Sequence, residues 1–105
     1  MALQTGSSTL LEEETKKRTK LSPRWRILGI NDDVTPMEYV VMLLQEVFGK
    51  THDAAFKIMM EVHERGAAVF YVGTREVCEL KVEQVQTMNE KHKQKLQVRM
   101  EPAEE

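Results

Sequence analysis

Thr35-Pro36-Met37-Glu38-Tyr39-Val40-Val41-Met42-Leu43-Leu44-Gln45-Glu46-Val47-Phe48-Gly49 is the stretch on which the fold turns. Thr35 can accept a hydrogen bond from the backbone three residues on, Glu38 can reach back, and Pro36 suits a first helical position, so a helix is predicted to start here. Met37, Val40, Val41, Leu44, Val47 and Phe48 recur at three- and four-residue spacing and make one apolar stripe. Gly49 supplies a left-handed stop after about Phe48. A helix with one apolar stripe must bury it against another layer, and the flanking sequence supplies that layer.

Upstream, Arg24 to Ile30 reads as a strand, with Trp25, Ile27 and Leu28 as bulky residues and Gly29 permitting a bulge or a close backbone approach. Asn31-Asp32-Asp33 ends it. Downstream, Thr51 or Asp53 opens a second helix whose stripe is Ala55, Ile58, Met59 and Val62, and Gly66 stops it. Ala67 to Val72, rich in Val, Phe and Tyr, is expected to be a central, buried strand. Gly73-Thr74 is a turn and cap for a third helix to about Lys93, with Val77, Cys78, Val82, Val85 and Met88 on its inner face. Leu96, Val98 and Met100 then alternate with Gln97, Arg99 and Glu101, the period of a half-exposed strand. The order β-α-α-β-α-β predicts an α+β, two-layer sandwich: a three-stranded antiparallel sheet with three helices on one face.

Composition narrows the function classes. A chain of 105 residues, 41% hydrophobic and 30% charged, has room for one soluble domain. Seventeen acids against fifteen bases leave a net charge of -2, without the basic excess that phosphate backbones attract. The clusters Lys16-Lys17-Arg18-Thr19-Lys20 and Lys91-His92-Lys93-Gln94-Lys95 are flanked by acids and lack interleaved aromatics, so no nucleic-acid partner is expected. The longest apolar run, Val40 to Leu44, is far short of the roughly 18 residues of a membrane span. One cysteine cannot form an internal disulfide, and the first residues lack the basic and apolar regions of a secretion signal, so a cytoplasmic protein is expected.

Residues 1–23 differ from the rest: Gly, Ser and Thr, then Glu12, Glu13 and Glu14, then Lys16, Lys17, Arg18 and Lys20, with few large apolar groups. Such a segment cannot bury enough surface to offset ordering its backbone at about 1–2 kcal/mol per residue, so a flexible arm is expected, with at most a marginal helix over residues 10–20. Four bases and three acids leave the arm at +1 and the other 82 residues at -3.

Enzymatic chemistry finds no footing. His63-Glu64 begins like a zinc-hydrolase helix, but Ala67 stands where the second histidine must be. Cys78, His52 and His92 are scattered without ligand spacing, and phosphate loops and nucleophile elbows are absent, so neither metal nor cofactor is expected. Cys78, on an apolar stripe, reads as an inert buried thiol. Asn31, Asp32 and Asp33 concentrate two carboxylates and an amide at a strand-to-helix corner. They can cap the helix, and a spare acid among them can receive an external cation or ammonium. His63 by itself reads as a cation near a helix C-terminus, where the dipole favours it. Met37, Met59 and Met60 suit core filling or a pliable binding surface.

Asn31-Asp32-Asp33-Val34-Thr35-Pro36-Met37-Glu38-Tyr39-Val40-Val41, followed by Met59-Met60-Glu61-Val62-His63-Glu64-Arg65-Gly66 and Thr74-Arg75-Glu76-Val77-Cys78-Glu79-Leu80-Lys81, closely resembles the ClpS family of bacterial proteolytic adaptors over about residues 24–102. The resemblance implies recognition of N-degrons: proteins whose first residue is Phe, Tyr, Trp or Leu are captured and handed to a ClpA-type AAA+ unfoldase, through its N-domain, for degradation by ClpP. It implies no bond chemistry and a monomer when free. By resemblance, Asn31, Asp32 and His63 bind the substrate α-amino group. Met37 matches a gate against β-branched side chains; Val40, Met59, Val62 and Leu96 match the rest of the side-chain pocket, with Asp33, Thr35 and Pro36 at its rim. Glu76 and Lys81 match unfoldase contacts and are expected to project from the third helix as a charged pair. Ile30 and Val34 depart from the usual family residues. The alternative is a small protein-protein interaction module without such a pocket, with a metal hydrolase a remote third.

Those assignments are compatible with the residues themselves. A ligand that carries an ammonium beside a large apolar side chain needs carboxylate and amide acceptors at the lip of an apolar pocket. Met37 and Val40 stand one turn apart on the first helix, as do Met59 and Val62 on the second. His63 can accept from an ammonium only through a neutral imidazole, or act through water.

Overall fold

Six elements follow one another in the computed structural model, which describes residues 23–103. They are β1 (Trp25–Ile30), α1 (Met37–Phe48), α2 (His52–Arg65), β2 (Ala67–Gly73), α3 (Arg75–His92) and β3 (Gln97–Pro102). Apart from Pro23, the arm read over residues 1–23, and the short helix considered within it, lie outside the described residues. The three strands form one antiparallel sheet, and the three helices cover one of its faces, as the α+β reading requires.

The strand order is β2-β1-β3, which overturns the expectation that Ala67 to Val72 is central. β1 is the middle strand. β2 is an edge, with Val69 38% exposed and Val72 36% exposed on the uncovered face. Only its other face packs against the helices, where Ala68 and Phe70 are buried. On β1, Gly29 has a partner across each edge. It faces the helices between Ala68 and Val98, and the Phe70 ring fills the space where a side chain on Gly29 would stand. Phe70 occupies the irregularity in the β1–β2 register, where Ile27 pairs with Tyr71 and Leu28 with Val69.

Packing follows the stripes. Ile27, Leu43, Leu44, Phe70, Cys78 and Val85 are the largest fully buried side chains. Phe48 meets Phe70 edge-on with 5.5 Å between ring centroids, fastening the end of α1 to the sheet. Val77, expected on the inner face of α3, is 37% exposed, because it lies about 100° around the helix from the buried line through Cys78 and Val85. Burial raises the Cys78 thiol above its usual range, despite a backbone hydrogen bond and the Lys81 charge, which act the other way. The opposite sheet face carries the Arg26–Glu101 pair, Nη2 to Oε2 at 2.6 Å, across β1 and β3.

Helix ends are set mostly as the glycines foretell. Gly49 (φ 65°) and Gly66 (φ 90°) are left-handed and close α1 and α2 through their own N–H groups, on Leu44 and Val62 carbonyls. Thr51 and Thr74 accept from Ala54 and Val77 N–H at the starts of α2 and α3. The start of α1 differs. Pro36 is the cap residue and makes no side-chain bond, and Thr35 does not serve the helix at all. Its N–H and hydroxyl both donate to the Asp32 carboxylate, a charged acceptor, and its oxygen takes no N–H of α1 in return.

Gly29→Ala should lower stability by about 1–3 kcal/mol, the range for forcing an extra carbon into a packed core. Pairing it with Phe70→Leu, which removes the blocking ring, should cost less than the sum of the two single changes. Urea denaturation of the four proteins measures both effects; additive losses would mean that the two residues do not compete for one space.

Candidate functional site

The corner after β1 and the last turn of α2 are joined by one backbone bond: Asn31 N–H donates to the Gly66 carbonyl at 2.9 Å. Because Gly66 is left-handed it ends α2 at once, and residues one turn earlier, Val62 and His63, come beside Asn31 and Asp32. Among the described residues, no group pairs with the Asn31 side-chain amide, the Asp33 carboxylate or the His63 ring, and all three residues are exposed.

Asp32 is engaged. Its Oδ1 accepts from Val34 N–H at 2.8 Å and Thr35 N–H at 2.6 Å, and its Oδ2 accepts the Thr35 hydroxyl at 2.8 Å. Partial burial pushes its carboxyl up, but the Thr35 backbone, the Thr35 hydroxyl and Val34 together outweigh that and hold it below the usual carboxylate range. The capping account of this acid is therefore realised as a loop clasp. A carboxylate has about four acceptor positions, so one on Oδ2 is still open, and among the described residues no cation pairs with the charge.

Between this corner and the helices lies a cavity of about 230 Å³. Ile30, Asn31, Asp32, Asp33 and Thr35 form one side, and His63 stands at the lip from α2. Met37 and Val40 of α1 line it, with Met59 and Val62 of α2 and Leu96 from the approach to β3. Val40, Met59, Val62 and Leu96 are buried, whereas Met37 is 42% exposed at the mouth. The cavity is smaller than the roughly 300–1,000 Å³ of drug-sized sites and is of the order of one amino-acid side chain. Of the residues singled out by sequence for the amine, the pocket and the rim, only Pro36 is not on its wall. Ile30, noted above only as a departure from a family pattern, joins it.

Leu96 is held there by residues that the sequence reading did not single out. The Tyr39 hydroxyl donates to Asn89 Oδ1 at 2.7 Å, and Asn89 Nδ2 donates to the Leu96 carbonyl at 2.9 Å. This chain ties α1, α3 and the approach to β3 around the cavity. Burial raises the Tyr39 phenol above its ordinary value, which keeps it a donor. Lys93, left-handed at φ 55°, ends α3 and lets Gln94 N–H return to the Asn89 carbonyl. The available signal was a lone Asn in the last turn of a helix, too common to stand out.

Glu76 and Lys81 do not form the charged pair that the sequence suggested. Five residues apart, they lie about 140° around α3 from each other. Glu76 is exposed, whereas Lys81 turns inward and donates to the Val47 carbonyl at 3.0 Å, its ammonium 5.1 Å from the Tyr71 ring and 5.8 Å from that of Phe48. There it meets the negative end of α1. Arg75 pairs with Glu79 instead, at 3.6 Å. Among the described residues, no three His, Cys, Asp or Glu groups gather as metal ligands, and no helix is long and apolar enough to cross a membrane.

Residues 20–99 match the family model described as ATP-dependent Clp protease adaptor protein ClpS. The chain belongs to the ClpS family. It is 47% identical over 88 residues to the ATP-dependent Clp protease adapter protein ClpS of Ruegeria sp. (strain TM1040), covering 84% of this chain and 78% of that one. It is 46% identical over 99 residues to the ClpS of Roseobacter denitrificans, covering 94% and 87%. Among solved structures it is similar to Agrobacterium tumefaciens ClpS2 bound to L-phenylalaninamide, with a TM-score of 0.73 and 30% identity over 77% of this chain and 98% of that one.

The Asp32 clasp has a pH signature. A carboxyl held lower in the folded state than in the unfolded chain stabilises above the unfolded value near 3.9 and loses that stabilisation as pH falls through the folded value. Asp32→Asn should therefore cost about 1 kcal/mol at pH 7. The gap to the unmodified protein should shrink at acidic pH, as pH falls from the unfolded value through the lower folded one. Urea titrations at neutral and acidic pH measure it, and a gap independent of pH would show that the charge plays no part in the clasp.

Proposed function

We propose that the cavity takes the first residue of a substrate polypeptide and that this ClpS-family chain is an N-degron adaptor. The observation that carries the reading is the union, in one cavity of side-chain size, of an acceptor-rich lip with an apolar floor. Asn31, Asp32 and His63 receive the three N–H bonds of the α-ammonium: the Asn31 amide oxygen, the open Oδ2 position and charge of Asp32, and a neutral imidazole nitrogen of His63. The side chain enters between Met37, Val40, Met59, Val62 and Leu96, and Asp33, Thr35 and Pro36 flank the entry. L-phenylalaninamide, the ligand of the A. tumefaciens relative, has this chemistry: a free amine, a large apolar side chain and an amide where a peptide would continue.

Selectivity follows from the wall. Phe, Tyr, Trp and Leu place their bulk beyond an unbranched Cβ, where the floor can bury it at about 25 cal/mol per Å². Val and Ile carry a branch at Cβ that meets Met37 at the mouth. Capture, on this reading, is binding without bond chemistry, followed by transfer to the AAA+ unfoldase of the Clp protease. Glu76 on the exposed face of α3 is free to contact that partner. Lys81 reaches it only if its ammonium leaves the Val47 carbonyl, so Lys81 is better read as a brace for α1.

Fluorescent peptides beginning with Phe, Tyr, Trp or Leu should bind at least tenfold more tightly than the same peptides beginning with Val or Glu. N-acetylation, or His63→Ala in the protein, should weaken the Phe peptide by about 1–3 kcal/mol, the range for a lost hydrogen bond to a charged group. Equal affinities across the panel would favour an interaction module without such a pocket.

Delivery makes a separate demand. An arm of about 23 residues spans up to about 75 Å at roughly 3.3 Å per residue, enough to enter an unfoldase while the domain stays docked. Deletion of residues 2–20 should leave peptide affinity nearly unchanged yet strongly slow degradation of an N-degron protein in a reconstituted Clp protease. Equal degradation rates would leave the arm a passive tail.

A further inference from the structure

Beside the cavity, on the outer side of the α1–α2 pair, runs a second depression of about 500 Å³. Met37, Val41 and Met42 of α1 and Phe56 and Met59 of α2 line it, together with the polar Glu38, Gln45 and His52. Phe56 is 48% exposed and Met37 42%, so this is apolar surface left open to solvent. Met37 and Met59 border both depressions, whereas Asn31, Asp32 and His63 border only the cavity, and Phe56, Val41 and Met42 only the groove. The two methionines are thus a partition, with the amine-reading corner on one side and the groove on the other.

A peptide with its first side chain in the cavity and its amine at that corner leaves in the direction away from the corner, across the partition. In an extended chain, alternate side chains leave from the same face at a rise of about 3.3 Å per residue, so those of residues one and three stand about 7 Å apart. Two side chains packed on either side of one methionine, each at about 3.5–4.0 Å, are separated by about 7–8 Å. The spacings agree. We infer that the groove is a subsite for an apolar side chain at the third residue of the bound N-terminus. Methionine walls adapt to Leu, Met or Phe there, and a carboxylate laid against them would lose its water without a fixed partner. The inference rests on first-residue recognition at the cavity and adds a second determinant to it.

The test uses the full-length protein and fluorescence anisotropy with three peptides that begin Phe-Ser and carry Leu, Ser or Glu at position three. A fourth peptide moves the Leu to position two, and a fifth replaces the first Phe by Val. Leu at position three should bind about three- to tenfold more tightly than Ser, and Glu more weakly than Ser. Phe56→Ala, at an exposed position outside the cavity, should reduce the Leu-over-Ser ratio to below about twofold without changing the affinity of the Ser peptide. No gain from Leu, a gain at position two only, or a gain undiminished by Phe56→Ala overturns the subsite. If Phe-first still outbinds Val-first in that event, first-residue recognition stands and the subsite alone falls; if Phe-first has no advantage, both fall together.

Discussion

The 2.9 Å bond from the Asn31 amide to the Gly66 carbonyl closes a loop of 35 residues and joins the end of the central strand to the end of the second helix. Its acceptor is available because Gly66 is left-handed, a conformation that costs a residue with a side chain about 1–2 kcal/mol and glycine nearly nothing. The neighbouring pairing of Ile30 with Ala67 continues the same junction into the sheet. Once it is made, the polar corner and the apolar stripe of α2 share one edge of the cavity, and neither has to be positioned separately.

Asp32 shows how one side chain can serve fold and site together. Three donors from its own loop hold the carboxylate ionised, and with it the orientation of the segment leading into α1. An ionised acid whose geometry is fixed by local bonds is preorganised for a cation, since no rotamer freedom remains to be lost when one arrives. Its neighbours Asn31 and Asp33 make no such bonds among the described residues and are free to adapt.

The far walls are held by long polar side chains acting across elements. Lys81 satisfies the end of α1 while resting against Phe48 and Tyr71, and Asn89 links Tyr39 to Leu96. These contacts span 34, 50 and 7 residues, and each sets where an apolar residue of the core or cavity sits. A side-chain-sized cavity tolerates little displacement of its lining, so such braces help to fix its shape even though none touches the space itself.

What could be read from the chain alone was whatever local free energy decides. Stripe periodicity located α1, α2 and α3, and Gly49, Gly66, Thr51 and Thr74 marked their ends, because helix propensity, capping and positive φ are settled within a few residues. The constellation Asn31, Asp32, Met37, Val40, Met59, Val62, His63 and Leu96 was legible through the family pattern, not through periodicity. Two things were decided only by the tertiary structure, and a third by the geometry of one loop. Ala67 to Val72 looked central, but strand order is set by which edges meet in the folded chain, and β1 pairs with both β2 and β3. Thr35 looked like a cap, but within its loop its N–H and hydroxyl donate to the Asp32 carboxylate and no α1 N–H reaches its oxygen. Lys81 looked like half of a surface ion pair, but the unsatisfied end of α1, 34 residues away, offered its ammonium a hydrogen-bond acceptor and two ring faces. In the two long-range cases the outcome depended on distances that exist only once the chain is folded.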